Sequence, residues 1–150
     1  GGHDKMLMDL TLTGPGMFDL KNFFDYAIEL DVKIETKRMF AFHSDIVMSA
    51  MAWPRHILDR LIDDVLDYIR PRATHKQQTL ITELEGMKQS PTFQEQWPDE
   101  AEDAFFKGRN WQDQIANIRP EENLRIEEIY KKDSELYDWW MRIDRKHNQR

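Results

Sequence analysis

Between Met6 and Thr13 apolar positions alternate with polar and β-branched ones, Met6-Leu7-Met8-Asp9-Leu10-Thr11-Leu12-Thr13, and a period of two predicts a strand. Gly14-Pro15-Gly16 breaks the pattern, as Gly and Pro together do in a turn. Asp19 then stands where it can cap a helix over Leu20–Leu30, with Phe23, Phe24, Ala27 and Ile28 at helical spacing. From Val32 to Phe42 the first half alternates apolar and charged residues, which predicts a second strand with one wet face. Strand, Gly-rich turn, helix and strand make a βαβ unit, with a right-handed crossover if the strands are parallel. Ile46-Val47-Met48 is a candidate third strand.

Beyond Pro54 the period lengthens. Ile57, Leu58, Leu61, Ile62, Val65, Leu66 and Ile69 form an apolar stripe, and Asp59, Asp63, Asp64 and Asp67 largely fill the other face. This predicts a helix over 54–70 that stops before Pro71. After Pro71 the pattern is helical throughout. A helix over 76–88 carries Leu80, Ile81, Leu84 and Met87 on one side. Ser90-Pro91-Thr92 is a break, with Thr92 and Glu95 spaced as a capping box. A helix over Pro98–Ile118 is expected to bury Ala101, Phe105, Trp111 and Ile115, and Arg119-Pro120 ends it. A short helix over 126–131 follows, then one over 134–145 with Leu136, Trp139, Trp140 and Ile143. The expected fold class is therefore α/β or α+β. Residues 1–71 form the βαβ unit plus a long amphipathic helix, and 72–150 a helical C-terminal region packed on it, together one structural domain.

Composition narrows the function. The 150 residues are 40% hydrophobic and 33% charged, a globular balance. No apolar run is long enough for a membrane span, and Gly1-Gly2-His3-Asp4-Lys5 is not followed by the apolar core of a signal peptide. The Gly-Gly-His start without an initiator Met reads as a processing scar or a cut inside a longer frame. A net charge of −7 argues against a phosphate-backbone binder. The densest basic cluster, Arg142, Arg145, Lys146 and Arg150, suits a helix C-terminus. The absence of cysteine fits a reduced, cytoplasmic setting and rules out cysteine-ligated zinc or iron–sulfur centres built from this chain. A sheet of two or three strands is small to stand without cover, so an edge is expected to want a neighbour, either a missing N-terminal part of a larger protein or a homodimer partner.

Candidate chemistry is sparse. Gly14-Pro15-Gly16 after a strand has the place of a phosphate-cradling turn, though it is neither G-x-G-x-x-G nor a P-loop, and a plain strand-to-helix turn explains it as well. His43 with Asp45, and His56 with Asp59 or Asp63, offer imidazole and carboxylate to a divalent metal, but such a site needs three or four converging ligands; surface or capping roles suit these residues. Asp99-Glu100-Glu102-Asp103 at a helix start matches the macrodipole. Ser44 beside His43 is adjacency without triad ordering. Trp111, Trp139 and Trp140 suit core or interface packing.

Three stretches taken together, Met8 through Leu20, Phe24-Asp25-Tyr26-Ala27-Ile28-Glu29-Leu30-Asp31-Val32-Lys33, and Asp45-Ile46-Val47-Met48-Ser49-Ala50-Met51-Ala52-Trp53-Pro54-Arg55, resemble the C-terminal portion of radical S-adenosylmethionine proteins with a twitch-type extension, in particular marine microbial and phage members. The resemblance implies that the βαβ unit is the last part of a partial (β/α) barrel. It further implies a parent enzyme whose N-terminal C-x-x-x-C-x-x-C loop ligates a [4Fe–4S] cluster that binds S-adenosylmethionine. That loop is absent from this chain, so no catalytic residue and no metal ligand carries over, and the chain is not catalytic by itself. Gly14, Pro15 and Gly16 would face the substrate or the adenine of S-adenosylmethionine. The cysteines of a twitch auxiliary cluster are also absent. The alternative is a self-standing α+β protein-interaction domain that forms a homodimer or docks on another protein.

Overall fold

Two parallel strands open the chain. The computed structural model describes residues 6–39, 43–118 and 126–148. Strand β1 (Leu7–Leu12) pairs with strand β2 (Lys33–Arg38) in the register Leu7↔Lys33 to Leu12↔Arg38. Helix α1 (Leu20–Leu30) makes the connection, entered through a 3₁₀ turn over Pro15–Asp19. Asp31 ends α1 in a left-handed conformation (φ 52°, ψ 47°) and returns its N–H to the Ala27 and Ile28 carbonyls. Side chains alternate in both strands, so Leu12 and Ile34 are buried on one face while Leu7, Asp9, Thr11, Lys33 and Lys37 are exposed on the other. The molecule is thus mixed α and β, with a two-stranded parallel sheet.

The helices supply the core under the dry face. Helix α2 (Arg55–Ile69) buries Ile57, Leu58, Ile62, Val65, Leu66 and Ile69, each worth about 1.5–3 kcal/mol of apolar transfer, and packs on α1 and α3 (Gln78–Gln89). Its cap residue is Arg70, directly before Pro71. The Thr92–Glu95 capping box is present at the start of α4 (Phe93–Gln96). Helix α5 (Pro98–Ile118), with Asp99 and Glu100 in its first turn, lies on the 3₁₀ turn over His43–Met48 and on α7 (Ser134–Asn148). The short α6 (Ile126–Tyr130) packs on α7 and on the 3₁₀ turn over Pro15–Asp19. One continuous cluster of buried side chains runs from Leu12 to Ile143.

Arg55 ties three elements together. Its guanidinium donates to the Lys88 carbonyl at 2.9 Å, to Asp59 at 3.2 Å and to Glu95 at 2.7 Å. The pair holds the Glu95 carboxyl down to about 2, through the Arg55 hydrogen bond first and the Thr92 N–H second.

Three expectations are corrected. Ile46-Val47-Met48 is not a strand but part of a 3₁₀ turn. Ile46 and Val47 are buried, the Met48 carbonyl accepts from the Gly14 N–H at 2.7 Å, and α5 covers the segment; a short β-branched run fits any buried backbone. The second strand stands as expected on the first half of its stretch, ending at Arg38 with the Met39 N–H closing on the Leu12 carbonyl at 3.2 Å; residues 40–42 lie outside the described residues. Asp19 occupies the N-cap position of α1 without a capping hydrogen bond, and its carboxylate accepts from the Asn22 amide at 3.2 Å. The preceding 3₁₀ turn runs straight into the helix and already offers acceptors there. Trp111 is 53% exposed and Ile115 half-buried, whereas Arg109, in step with Phe105 and Ala116, is buried.

Candidate functional site

In an open α/β arrangement ligands gather at the C-terminal ends of the strands. Here that end is the Thr13–Asp19 segment after β1. Gly14 is buried, and a Cβ there would collide with the Tyr130 hydroxyl and crowd the Met48 carbonyl at 3.2 Å. The residue must be small because the tyrosine packs directly on its Cα. The Gly14 N–H is committed to Met48, the Gly16 N–H to Thr13 Oγ1 at 3.0 Å, and the Met17 N–H to the Thr13 and Gly14 carbonyls. Pro15 has no N–H. The turn therefore satisfies its own donors, and what it presents outward is the half-exposed surface of Pro15 and Gly16.

Behind the turn stands a buried aromatic group. Trp53 and Tyr130 meet edge-on at 5.9 Å, Tyr130 and Trp140 edge-on at 5.5 Å, and Phe18 tilts against Trp53 and Tyr130 at 6.3 and 6.1 Å. Trp53 Nε1 donates to the Tyr130 hydroxyl at 3.4 Å. Burial pushes the Tyr130 hydroxyl far above its ordinary range, so it stays neutral.

Beside the turn lies a polar cleft of about 370 Å³, walled by Met17, Phe18, Leu61 and Val65 and rimmed by Lys21, Asp64, Arg60, Asp133 and Lys132. Its charges are largely paired. Lys21 meets Asp64 at 2.8 Å, and Arg60 grips both oxygens of Asp133 at 2.6 and 3.0 Å. Asp133 also accepts the Leu136 N–H at 3.0 Å, which anchors the start of α7. The Arg60 bond holds the Asp133 carboxyl below its usual range, and the same bond raises the guanidinium. Shifts elsewhere have the same sense: Asp25 is lowered, first by its hydrogen bond from Tyr68 (2.6 Å). Each of these shifts favours the ordinary charge state of its group. The cleft can hold a polar ligand by ionic contacts.

The candidate metal ligands are not gathered. His56 Nε2 lies 3.1 Å from Glu135, Asp59 is taken by Arg55 and Asp63 by Lys88, while the side chains of His43, Ser44 and Asp45 lie outside the described residues. No group of three or more His, Cys, Asp or Glu among the described residues converges on a metal-sized space, and no described helix is long and apolar enough to cross a membrane.

Sequence reasoning missed Tyr130, Arg60 with Asp133, and Arg109. The Arg109 guanidinium donates to the Trp140 carbonyl, sits 5.2 Å from that ring and lies 3.5 Å from Glu127. Its Nε, like Trp140 Nε1, is buried without a partner. The one signal was its phase, four residues from Phe105 and seven from Ala116. Nothing in a five-residue helix announces that Tyr130 reaches Gly14.

No protein-family model, curated protein or solved structure matches this chain.

Proposed function

We propose that this chain is the C-terminal, substrate-side segment of a radical S-adenosylmethionine enzyme, not catalytic alone, in which β1 and β2 continue a parallel sheet begun by a preceding segment. One observation carries the reading: the outer edge of β1. In the observed ladder the Met39 N–H reaches the Leu12 carbonyl, so the main-chain groups of Met8, Leu10 and Leu12 point to β2. Those of Leu7, Asp9 and Thr11 point the other way, and no described strand pairs with them. Parallel sheets are normally longer and covered on both faces. Here one face is wet, carrying Asp9, Thr11, Lys33, Glu35 and Lys37, as a barrel interior facing a polar substrate would be.

The cluster does not fit this chain, which has no cysteine and no gathered ligand set among its described residues; in this reading it belongs to the preceding segment. S-adenosylmethionine on that cluster would supply the radical chemistry. The part left for this chain is to close the sheet, present the wet face, and offer the Pro15-Gly16 surface of the turn, held from behind by buried Gly14, to the adenine or the substrate. The test is the reading frame upstream of Gly1. A frame with a C-x-x-x-C-x-x-C loop, whose anaerobically reconstituted product forms 5′-deoxyadenosine from S-adenosylmethionine, supports the proposal; a frame without the loop overturns it. Within such a product, unchanged S-adenosylmethionine binding after bulky replacement at Pro15 or Gly16 would remove the turn from the site.

A specific observation also favours the second reading, an interaction domain. Trp97, Trp111 and Ile118 are 47%, 53% and 77% exposed at multiples of seven residues along α5 and its approach, the spacing of a helix-packing seam. A dimer in solution that Trp111→Glu makes monomeric would support it, and a monomer would exclude the homodimer.

A further inference from the structure

A separate pocket of about 270 Å³ opens between α4, α5 and α7, lined by Gln94, Glu102, Phe105, Trp139, Arg142 and Ile143. Its floor is apolar and buried. Phe105, Trp139 and Ile143 are 3%, 7% and 8% exposed, and the Trp139 ring meets Phe105 edge-on at 5.6 Å. Phe105 is backed in turn by Phe93 at 5.8 Å. Trp139, Arg142 and Ile143 stand at i, i+3 and i+4 on α7, so the helix itself places a guanidinium beside the apolar floor. Arg142 is exposed, and no described carboxylate lies within ion-pairing distance of it, in contrast to Arg38, Arg55, Arg60, Arg70, Arg72 and Arg109. Glu102 of α5 also lines the pocket and has an interaction within the chain, so a ligand carboxylate must seat at the Arg142 end, away from it.

We propose that this pocket binds a small ligand with an aryl-sized apolar body and a single carboxylate head. The body would lie on Phe105, Trp139 and Ile143, and the carboxylate on Arg142, with the Gln94 amide within the same rim. The volume is at the small end of ligand pockets, enough for one ring and too little for a nucleotide. One free guanidinium matches one carboxylate, whose two oxygens accept its paired donors. A cationic ligand would face Arg142 unfavourably, and a phosphate dianion would find one cation and an apolar floor. The inference uses α4, α5 and α7 alone and is independent of what pairs with β1.

The test uses 3-phenylpropionate and the neutral 3-phenylpropan-1-ol with the 150-residue chain, reading the Trp139 indole N–H resonance. The acid is expected to shift Trp139 saturably and to bind about tenfold tighter than the alcohol. Arg142→Gln is expected to abolish that preference, and Arg142→Lys to keep part of it. An exposed side chain makes both variants foldable, checked by an unchanged melting curve. No saturable shift at millimolar acid, equal binding of acid and alcohol, shifts confined to Trp97 or Trp111, or an Arg142→Gln variant that binds the acid as before would each overturn the proposal. Should Arg142→Gln fail to fold, the comparison of acid with alcohol on the unaltered chain still decides.

Discussion

The two outer edges of the sheet face the same demand, a row of main-chain donors and acceptors that must find partners, and they meet it differently. Along β2, side chains stand in for a strand. Thr79 Oγ1 accepts the Thr36 N–H at 3.1 Å and donates to the Ile34 carbonyl at 2.6 Å, Gln77 donates to the Val32 carbonyl at 3.4 Å, and Lys76 to the Asp31 carbonyl at 3.1 Å. One threonine on α3 thus satisfies two of the outward groups that a neighbouring strand would have taken, the Thr36 N–H and the Ile34 carbonyl, which hinders pairing along that edge. Along β1 no described element does the same, and Met6 and Leu7 are each 51% exposed. Among the described residues, α3 occupies one edge and no element pairs with the other. That asymmetry is what the proposed attachment to a preceding segment rests on.

Both edges depend on the core beneath them, so the largest effect is expected there. Trp53→Ala empties a fully buried ring site and should cost about 3–5 kcal/mol in urea unfolding; a loss under 1 kcal/mol would mean that the aromatic group is not the keystone of the strand ends. Gly14→Ala sets a methyl group against the Tyr130 hydroxyl and should cost about 1–3 kcal/mol. Tyr130→Phe removes the clashing oxygen, so the double variant should lose less than the sum of the two single changes. Strict additivity would sever the turn from Tyr130.

The contrast between edges can then be tested directly. Thr79→Val leaves the Thr36 N–H and Ile34 carbonyl unpaired, which should cost about 1–2 kcal/mol and speed hydrogen exchange at Thr36 more than at strand amides that face β1. Unaltered exchange would mean that α3 does not protect that edge. Acid is expected to act more mildly. A carboxyl depressed in the folded state binds fewer protons there than in the unfolded chain, so its stabilisation is complete above its unfolded value and is lost as pH falls through the folded one. For Glu95 that window runs from 4.5 down to about 2, and Asp133 and Asp25 carry the same sign. Stability should therefore fall over this range, and Glu95→Gln should flatten the fall; an identical slope would remove the Arg55–Glu95 pair from the account. The smallest effect belongs to β1. The Asp9 N–H points outward, so Asp9→Pro should change the stability of the 150-residue chain by less than about 1 kcal/mol, while blocking strand addition in a longer parent. A large loss in the chain alone would mean that the edge is already engaged.

Periodicity along the chain was enough to locate β1, α1, α2, α3, α5 and α7, because each carries an apolar face whose spacing is a property of its own backbone geometry. The Thr92 capping box and the acidic first turn of α5 were legible for the same reason: partner and target are three residues apart or fewer. What lay beyond local pattern was the use of those faces. Ile46-Val47-Met48 read as a strand by residue type, and only the Gly14–Met48 hydrogen bond and the cover of α5 made it a turn. Trp111 and Arg109 stand two residues apart on α5, and hydropathy alone put the tryptophan inside. Packing against α7 instead buried the guanidinium on the Trp140 carbonyl and turned the tryptophan outward. Gly14 was visible as a turn residue, but the reason it must be glycine is a tyrosine 116 positions later in the sequence. Sequence by itself determined where the two paired strands and the longer helices lie, since hydrogen bonding within an element and its apolar period are local. Tertiary structure decided which strand edge a helix occupies, which charges are paired and where two pockets form, since each depends on groups distant along the chain meeting at a few ångströms.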